Sequence, residues 1–160
     1  MPRPRSSSRP VDALIGAAPL ATRWIARVLA AHEPPLTVAQ FLALRSIARE
    51  RLTAAEMARR AGISGPALSQ LVAGLEAEGW LARNPGADDR RSQQLAVTEA
   101  GRRLLASASA ALRDRIGPLL AGLPRPELDA LERLLSLLEA ALGGTPPPRR
   151  PPRPPRPGHA

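Results

Sequence analysis

Residues 52–83 read LTAAEMARRAGISGPALSQLVAGLEAEGWLAR. Thr53 and Glu56 stand three apart, the spacing of a capping box, in which the hydroxyl takes one orphan amide and the carboxylate reaches back to another. Gly62 suits the left-handed position that ends a helix, so a short helix is predicted over about 54–61. Ser64 is then the N-cap of a longer helix to about Glu78, with Leu68, Leu71, Val72 and Leu75 at helical spacing. Gly79 stops it. Ala58 and Gly62 are small enough for the two helices to cross closely, and Ile63, Leu68 and Leu71 lock the crossing from below. WLARN (80–84) reads as a strand, and SQQLAV (92–97) as a second with Leu95 and Val97 on one face. A hairpin loop joins them.

Short helix, glycine turn, longer helix and two-stranded hairpin together make a winged helix-turn-helix. The exposed face of the longer helix carries Gly65, Pro66, Ser69, Gln70 and Ala73, with no acid until Glu76 and Glu78 at its far end. A helix entering the major groove needs a slim N-terminal half that is uncharged or basic. The helix start at Ser64 also offers amides and a positive dipole to a phosphate.

Working outward, PPLTVAQ (34–40) holds a second capping box, Thr37 with Gln40, opening a helix over 38–49 with Phe41, Leu42, Leu44 and Ile47 available to the core. Before it, residues 11–32 show a helical apolar pattern through Leu20, Trp24, Ile25, Val28 and Leu29, with Pro19 marking a start or kink. Beyond the hairpin, Thr98 caps a helix carrying Leu105, Leu112, Ile116, Leu119 and Leu123, which Gly117 and Pro118 are expected to kink or interrupt. The last helix, about 126–142, sets Leu128, Leu131, Leu135, Leu138 and Leu142 at alternating steps of three and four, a heptad seam widened by Leu134 and Ala141. Pro124 stands where a hydroxyl N-cap is usual. The fold class is mainly α with a small β-hairpin wing (α+β): a winged helix-turn-helix lobe over about 36–98, and a helical lobe from about 11–32 and 99–142.

Composition agrees. The chain has 160 residues, enough for one domain, and 44% of them are hydrophobic. All 23 basic residues are arginine, against 14 acids. Three arginines lie in 1–9 and four in 145–160, where there are no acids, so the body is near neutral and the +9 belongs largely to the tails. Residues 1–10 and 145–160 (TPPPRRPPRPPRPGHA) are expected to be disordered basic tails, with proline favouring extended backbone. No cysteine is present, which excludes disulfides and thiol sensing. No uninterrupted apolar run reaches the roughly 18 residues of a membrane span, so a cytoplasmic protein with no membrane partner is expected. No enzymatic apparatus is legible. The two histidines, His32 and His159, are far apart, GISGP (62–66) is not a nucleophile elbow, and no metal or cofactor is implied.

At this point the chain resembles the MarR family of bacterial transcription regulators, over about residues 20–142. LTVAQFLAL (36–44) resembles the helix opening the DNA-binding lobe, and 52–83 its helix-turn-helix through the first wing strand. DDRRSQQLAVTEAG (88–101) resembles the wing signature, an Asp-x-Arg-Ser run leading to Leu95, Val97, Thr98 and Gly101. The resemblance implies that Arg91 enters the minor groove while Asp89 holds its guanidinium, with Arg90 at the wing tip and Arg83 near phosphate. A narrow minor groove is strongly negative and attracts a planar, always-charged guanidinium.

It further implies a homodimer built from the first and last helices, which the seam over 128–142 supports independently, placing two recognition helices in successive major grooves of a near-palindromic site. Relatives respond to small aromatic or anionic effectors, for which Arg23, Trp24, Arg27 and Phe41 are candidate contacts. The expected function is a sequence-specific double-stranded DNA-binding regulator, by family default a repressor released by a ligand. The alternative is a winged-helix module that binds protein, or DNA without sequence preference. The equal number of arginines and acids over 53–98 favours the protein-binding form.

Overall fold

The computed structural model describes residues 8–50, 56–58, 64–84 and 94–143. Among the described residues the bounded elements follow in order: α1 Ser8–Ala30, α2 Val38–Arg49, α3 Gly65–Ala77, β1 Leu81–Asn84, β2 Gln94–Val97, α4 Glu99–Leu120 and α5 Arg125–Gly143. Residues 56–58 are helical, where the short helix was expected. Its partners Thr53, Gly62 and Ile63 lie outside the described residues.

The sequence's start signals act as expected. Thr37 sits in extended backbone, its side chain accepts from the Gln40 amide at 3.1 Å, and its own amide donates to Gln40 Oε1 at 2.9 Å. The end of α3 is a Schellman motif: the Trp80 amide donates to the Leu75 carbonyl and the Gly79 amide to the Glu76 carbonyl, both at 2.9 Å. The motif requires a left-handed residue, and Gly79 supplies it at φ +71.

Three expectations need correcting. α1 begins at Ser8, inside the stretch assigned to a tail, because Pro10 falls in its first turn, where the missing amide costs nothing. Pro19 and Pro118 interrupt neither helix. Pro118 lies in the last turn of α4, where only the final residues follow the lost hydrogen bond, and Leu123 falls in the turn beyond. And although no uninterrupted apolar run exists, α1 is by length and composition apolar enough to cross a membrane. Almost none of it is buried within the chain.

The core lies between the helices and one face of the hairpin. Leu29 of α1, Phe41, Leu44 and Ile47 of α2, Leu68, Val72 and Leu75 of α3, Leu95 and Val97 of β2, and Leu104, Ala108 and Leu112 of α4 form one buried cluster. No buried polar side chain is left without a partner among the described residues. The hairpin is antiparallel, with Leu81 opposite Val97 and Arg83 opposite Leu95. Leu81 and Arg83 therefore share the face turned toward α3.

Where α3, the hairpin and α4 meet, the chain is tied tightly. The Thr98 amide donates to the Trp80 carbonyl at 3.1 Å. The Thr98 hydroxyl donates to the Gly79 carbonyl at 2.7 Å and accepts the Gly101 amide at 3.0 Å. Gly101 has no room for a side chain: a Cβ there would strike the Trp80 carbonyl oxygen and lie 2.8 Å from Val97 Cγ1. Gly101→Ala is expected to destabilise the protein by about 1–3 kcal/mol, the range for overpacking a filled site. Urea unfolding measures this, and an unchanged midpoint would show that the junction yields.

Candidate nucleic-acid interface

Ser64 starts α3 from extended backbone, and its hydroxyl accepts the Ala67 amide at a long 3.4 Å. Pro66 follows in the first turn, where no amide is needed. The apolar residues recur at helical spacing, so Leu68, Val72 and Leu75 are buried and fix the helix's rotation about its axis. That rotation exposes Gly65, Pro66, Ser69, Gln70 and Ala73 together. From Ser64 to Leu75 no residue is charged. The surface is thus narrow, neutral and able to donate and accept hydrogen bonds through Ser69 and Gln70, with the positive end of the helix dipole at its front.

Glu76 is the first acid, and it is engaged. Arg83 Nε donates to its Oε1 at 2.8 Å. The register explains the pairing, because Arg83 follows Leu81 by two and so turns to α3 rather than away from the protein. The pair joins the base of the hairpin to the end of α3. Asp89, Arg90 and Arg91, assigned to the wing tip, lie outside the described residues.

The four effector candidates divide. Arg23, Trp24 and Arg27 line an open groove of about 950 Å³ between α1 and the last turns of α4, opposite Ile116 and Leu119. Phe41 does not join them: it is 5% exposed and belongs to the core cluster, because α2 presents it on the same face as Leu44. Arg23 and Arg27 are one helical turn apart and both exposed, so the groove is apolar with a cationic edge.

Sequence reasoning missed His32. Its Nδ1 lies 2.9 Å from the Pro34 carbonyl, and its Nε2 3.1 Å from Ser107 Oγ on α4. A serine beside an imidazole resembles a nucleophile and its base, yet the Ser107 hydroxyl lies 3.0 Å from the Leu104 carbonyl and no carboxylate stands behind the ring. The contact clasps the turn after α1 to α4. A lone histidine gives no sequence signal of a partner 75 residues away. Among the described residues no three His, Asp or Glu side chains are placed to hold a metal.

Comparison with known proteins agrees with this geometry. The family model described as MarR family matches residues 35–92. The HTH-type transcriptional repressor Rv2887 of Mycobacterium tuberculosis is 32% identical over 104 residues, 64% of this chain and 75% of that protein. A crystal structure of the MarR family protein Rv2887, in complex with p-aminosalicylic acid, superposes with a TM-score of 0.63 at 28% identity, over 79% of this chain and 95% of that one. The structure of Rv1404 from the same organism gives 0.73 at 25% identity, over 92% of this chain and all of that one.

The residues that cap and bury α3 are distinct from those it exposes, which substitution separates. Ser64→Ala is expected to cost about 0.5–2 kcal/mol of stability, as loss of an N-cap does. Ser69→Ala and Gln70→Ala should stay within about 0.5 kcal/mol of the parent, as exposed substitutions do. Chemical denaturation of the three variants checks this. A large loss at Ser69 or Gln70 would mean that this face is covered within the protein.

Proposed function

The chain belongs to the MarR family of transcriptional regulators, and from that premise we propose that it is a sequence-specific repressor on double-stranded DNA, acting as a homodimer and released by a small aromatic carboxylate. The observation that carries the reading is the exposed face of α3, neutral and narrow along its front and held in place by the buried Leu68, Val72 and Leu75. On this reading Ser69, Gln70 and Ala73 meet base edges, the start of the helix at Ser64, Gly65 and Pro66 meets phosphate, and Arg91, held by Asp89, enters the minor groove beside Arg90. Arg83, paired with Glu76, holds the wing against α3 at the edge of the surface offered to phosphate. Such a protein works on DNA in the cytoplasm and needs neither cofactor nor catalytic group.

The dimer is supported by what the single chain leaves uncovered. Val11, Leu14, Ile15 and Leu20 of α1 and Leu134, Leu135 and Leu137 of α5 are all exposed. Of the seam predicted over 128–142, Leu135 and the flanking Leu134 are exposed, while Leu128, Leu131 and Leu138 are half-buried. Apolar surface of this extent is normally covered by a partner, and a second copy using the same helices gives a closed two-fold assembly. The apolar character of α1 has the same explanation.

Repression and effector response rest on the relatives. Rv2887 is named a repressor, and its structure holds p-aminosalicylic acid. The groove beside Trp24 suits that chemistry, with an aromatic face for a ring and the Arg23 and Arg27 guanidinium groups for a carboxylate. The competing reading, a protein-binding winged helix, is favoured by the balanced charge of 53–98.

A duplex selected from a random pool by the full chain tests the proposal. Arg91→Ala is expected to weaken binding to it by about 1–3 kcal/mol, while a scrambled duplex binds parent and variant weakly. Equal affinity of the variant for the selected duplex would remove the wing from the interface, and failure to select any sequence would favour the protein-binding reading. Sedimentation tests the assembly: the parent should be dimeric at micromolar concentration, and Leu135→Asp should shift it to monomer. A parent that remains monomeric would overturn the two-fold arrangement.

A further inference from the structure

We propose that Arg102 is a positioning residue for DNA recognition: its guanidinium ties the open edge of β2 to the first turn of α4 and so sets the direction in which the hairpin is held out. The inference rests on the DNA-binding reading above and names a residue through which the wing acts.

The first observation is the atom that Arg102 holds. The Thr98 amide donates to the Trp80 carbonyl, which makes that pair a hydrogen-bonded position of the antiparallel ladder. The next pair, Leu81 opposite Val97, is then a non-hydrogen-bonded one, and the Val97 carbonyl points away from β1. Among the described residues the sheet has two strands, so no third strand meets that carbonyl. Arg102 Nη1 donates to it at 2.8 Å, in the place a neighbouring strand would take.

The second is how the guanidinium is oriented. Arg102 Nε and Nη2 both donate to Glu99 Oε2, at 3.1 and 2.9 Å. The two side chains are 59% and 67% exposed, and an exposed pair of this kind is worth little by itself. Its effect is geometric. The planar group rests on Glu99 along one edge and on Val97 through its remaining nitrogen, an arrangement that a single ammonium cannot reproduce in full.

The third is leverage. A two-stranded hairpin is marginal alone, so its direction comes from what its strands are tied to. β1 is tied to α3 through Arg83 and Glu76, and β2 to α4 through Arg102. A strand rises about 3.4 Å per residue, so Gln94 stands about 10 Å beyond Val97. A small rotation at Val97 is multiplied over that length, and Gln94 leads in sequence to Arg91.

The test measures affinity for the selected duplex with the full chain and its Arg102→Ala, Arg102→Lys and Glu99→Gln variants, each with and without Arg91→Ala, after urea unfolding has shown them folded at the assay temperature. Arg102→Ala should bind about two- to tenfold more weakly, the worth of one hydrogen bond, with Arg102→Lys recovering part of the loss. The slope of log affinity against log salt should stay that of the parent. The loss should vanish where Arg91 is already alanine, because two residues acting through one element do not add. Glu99→Gln should also weaken binding, although removing an acid would by charge alone strengthen attraction to DNA. A loss that adds to that of Arg91→Ala, with a slope shallower by about 0.9, would overturn the inference and make Arg102 a phosphate contact. Unchanged affinity in Arg102→Ala, or tighter binding by Glu99→Gln, would overturn it and leave a bond that only closes the sheet edge, with the DNA-binding reading standing. Arg91→Ala without effect would remove the wing from the interface and the inference with it. Absence of sequence preference in the parent would overturn both.

Discussion

The structure depends on a single threonine hydroxyl. Thr98 donates to the carbonyl of Gly79, where α3 ends, and accepts the amide of Gly101, where α4 begins. Its own amide meets the Trp80 carbonyl, closing the base of the hairpin. One residue thus fixes three directions: that of the helix offered to DNA, that of the wing, and that of the long helix leading to the proposed dimer. The absence of a side chain at Gly101 makes the approach possible. Because α4 carries Leu104, Ala108 and Leu112 into the core, any tilt at the junction would displace the packing beneath α3 as well.

That coupling bears on the groove proposed above to take an effector. The groove lies against α1 and the far end of α4, away from α3. A ligand wedged between Trp24 and Leu119 would act on α4 as on a lever whose other end is held at Thr98. His32 adds a second hold along the lever by clasping the turn after α1 to Ser107. In the proposed dimer, a ligand favouring one inclination of α4 would then shift the population of DNA-competent spacings, by as much as its affinities for the two inclinations differ.

Much of this was legible in the sequence because it is local. Thr37 with Gln40, Ser64, Gly79 and Thr98 announce helix ends through short-range hydrogen bonds, and the structure forms each of them. The alternation through Leu95 and Val97 gave the buried face of β2 by the same logic. The misreadings concern balances that neighbours decide. Pro118 was read as a kink or interruption, and the helix runs on through it; the cost depends on how much helix follows, and little does. Phe41 was placed in an effector site from its aromatic character, whereas the rotation of α2 puts it in the core. The pairing of Arg83 with Glu76 depends on strand register, which the sequence does not print. His32 and Ser107 meet across a large sequence separation that no periodicity records.

The division of α3 into a buried stripe and an exposed face has an evolutionary consequence. The residues that hold the helix, Leu68, Val72 and Leu75, are not those that it presents, Ser69, Gln70 and Ala73. Exchanging the presented side chains removes no core contact and leaves no buried group unpaired, so it draws little on the protein's stability. A duplicated copy could therefore wander through many target sequences by single substitutions, each intermediate remaining folded. Packing constrains the scaffold, while the surface it presents is left free to change.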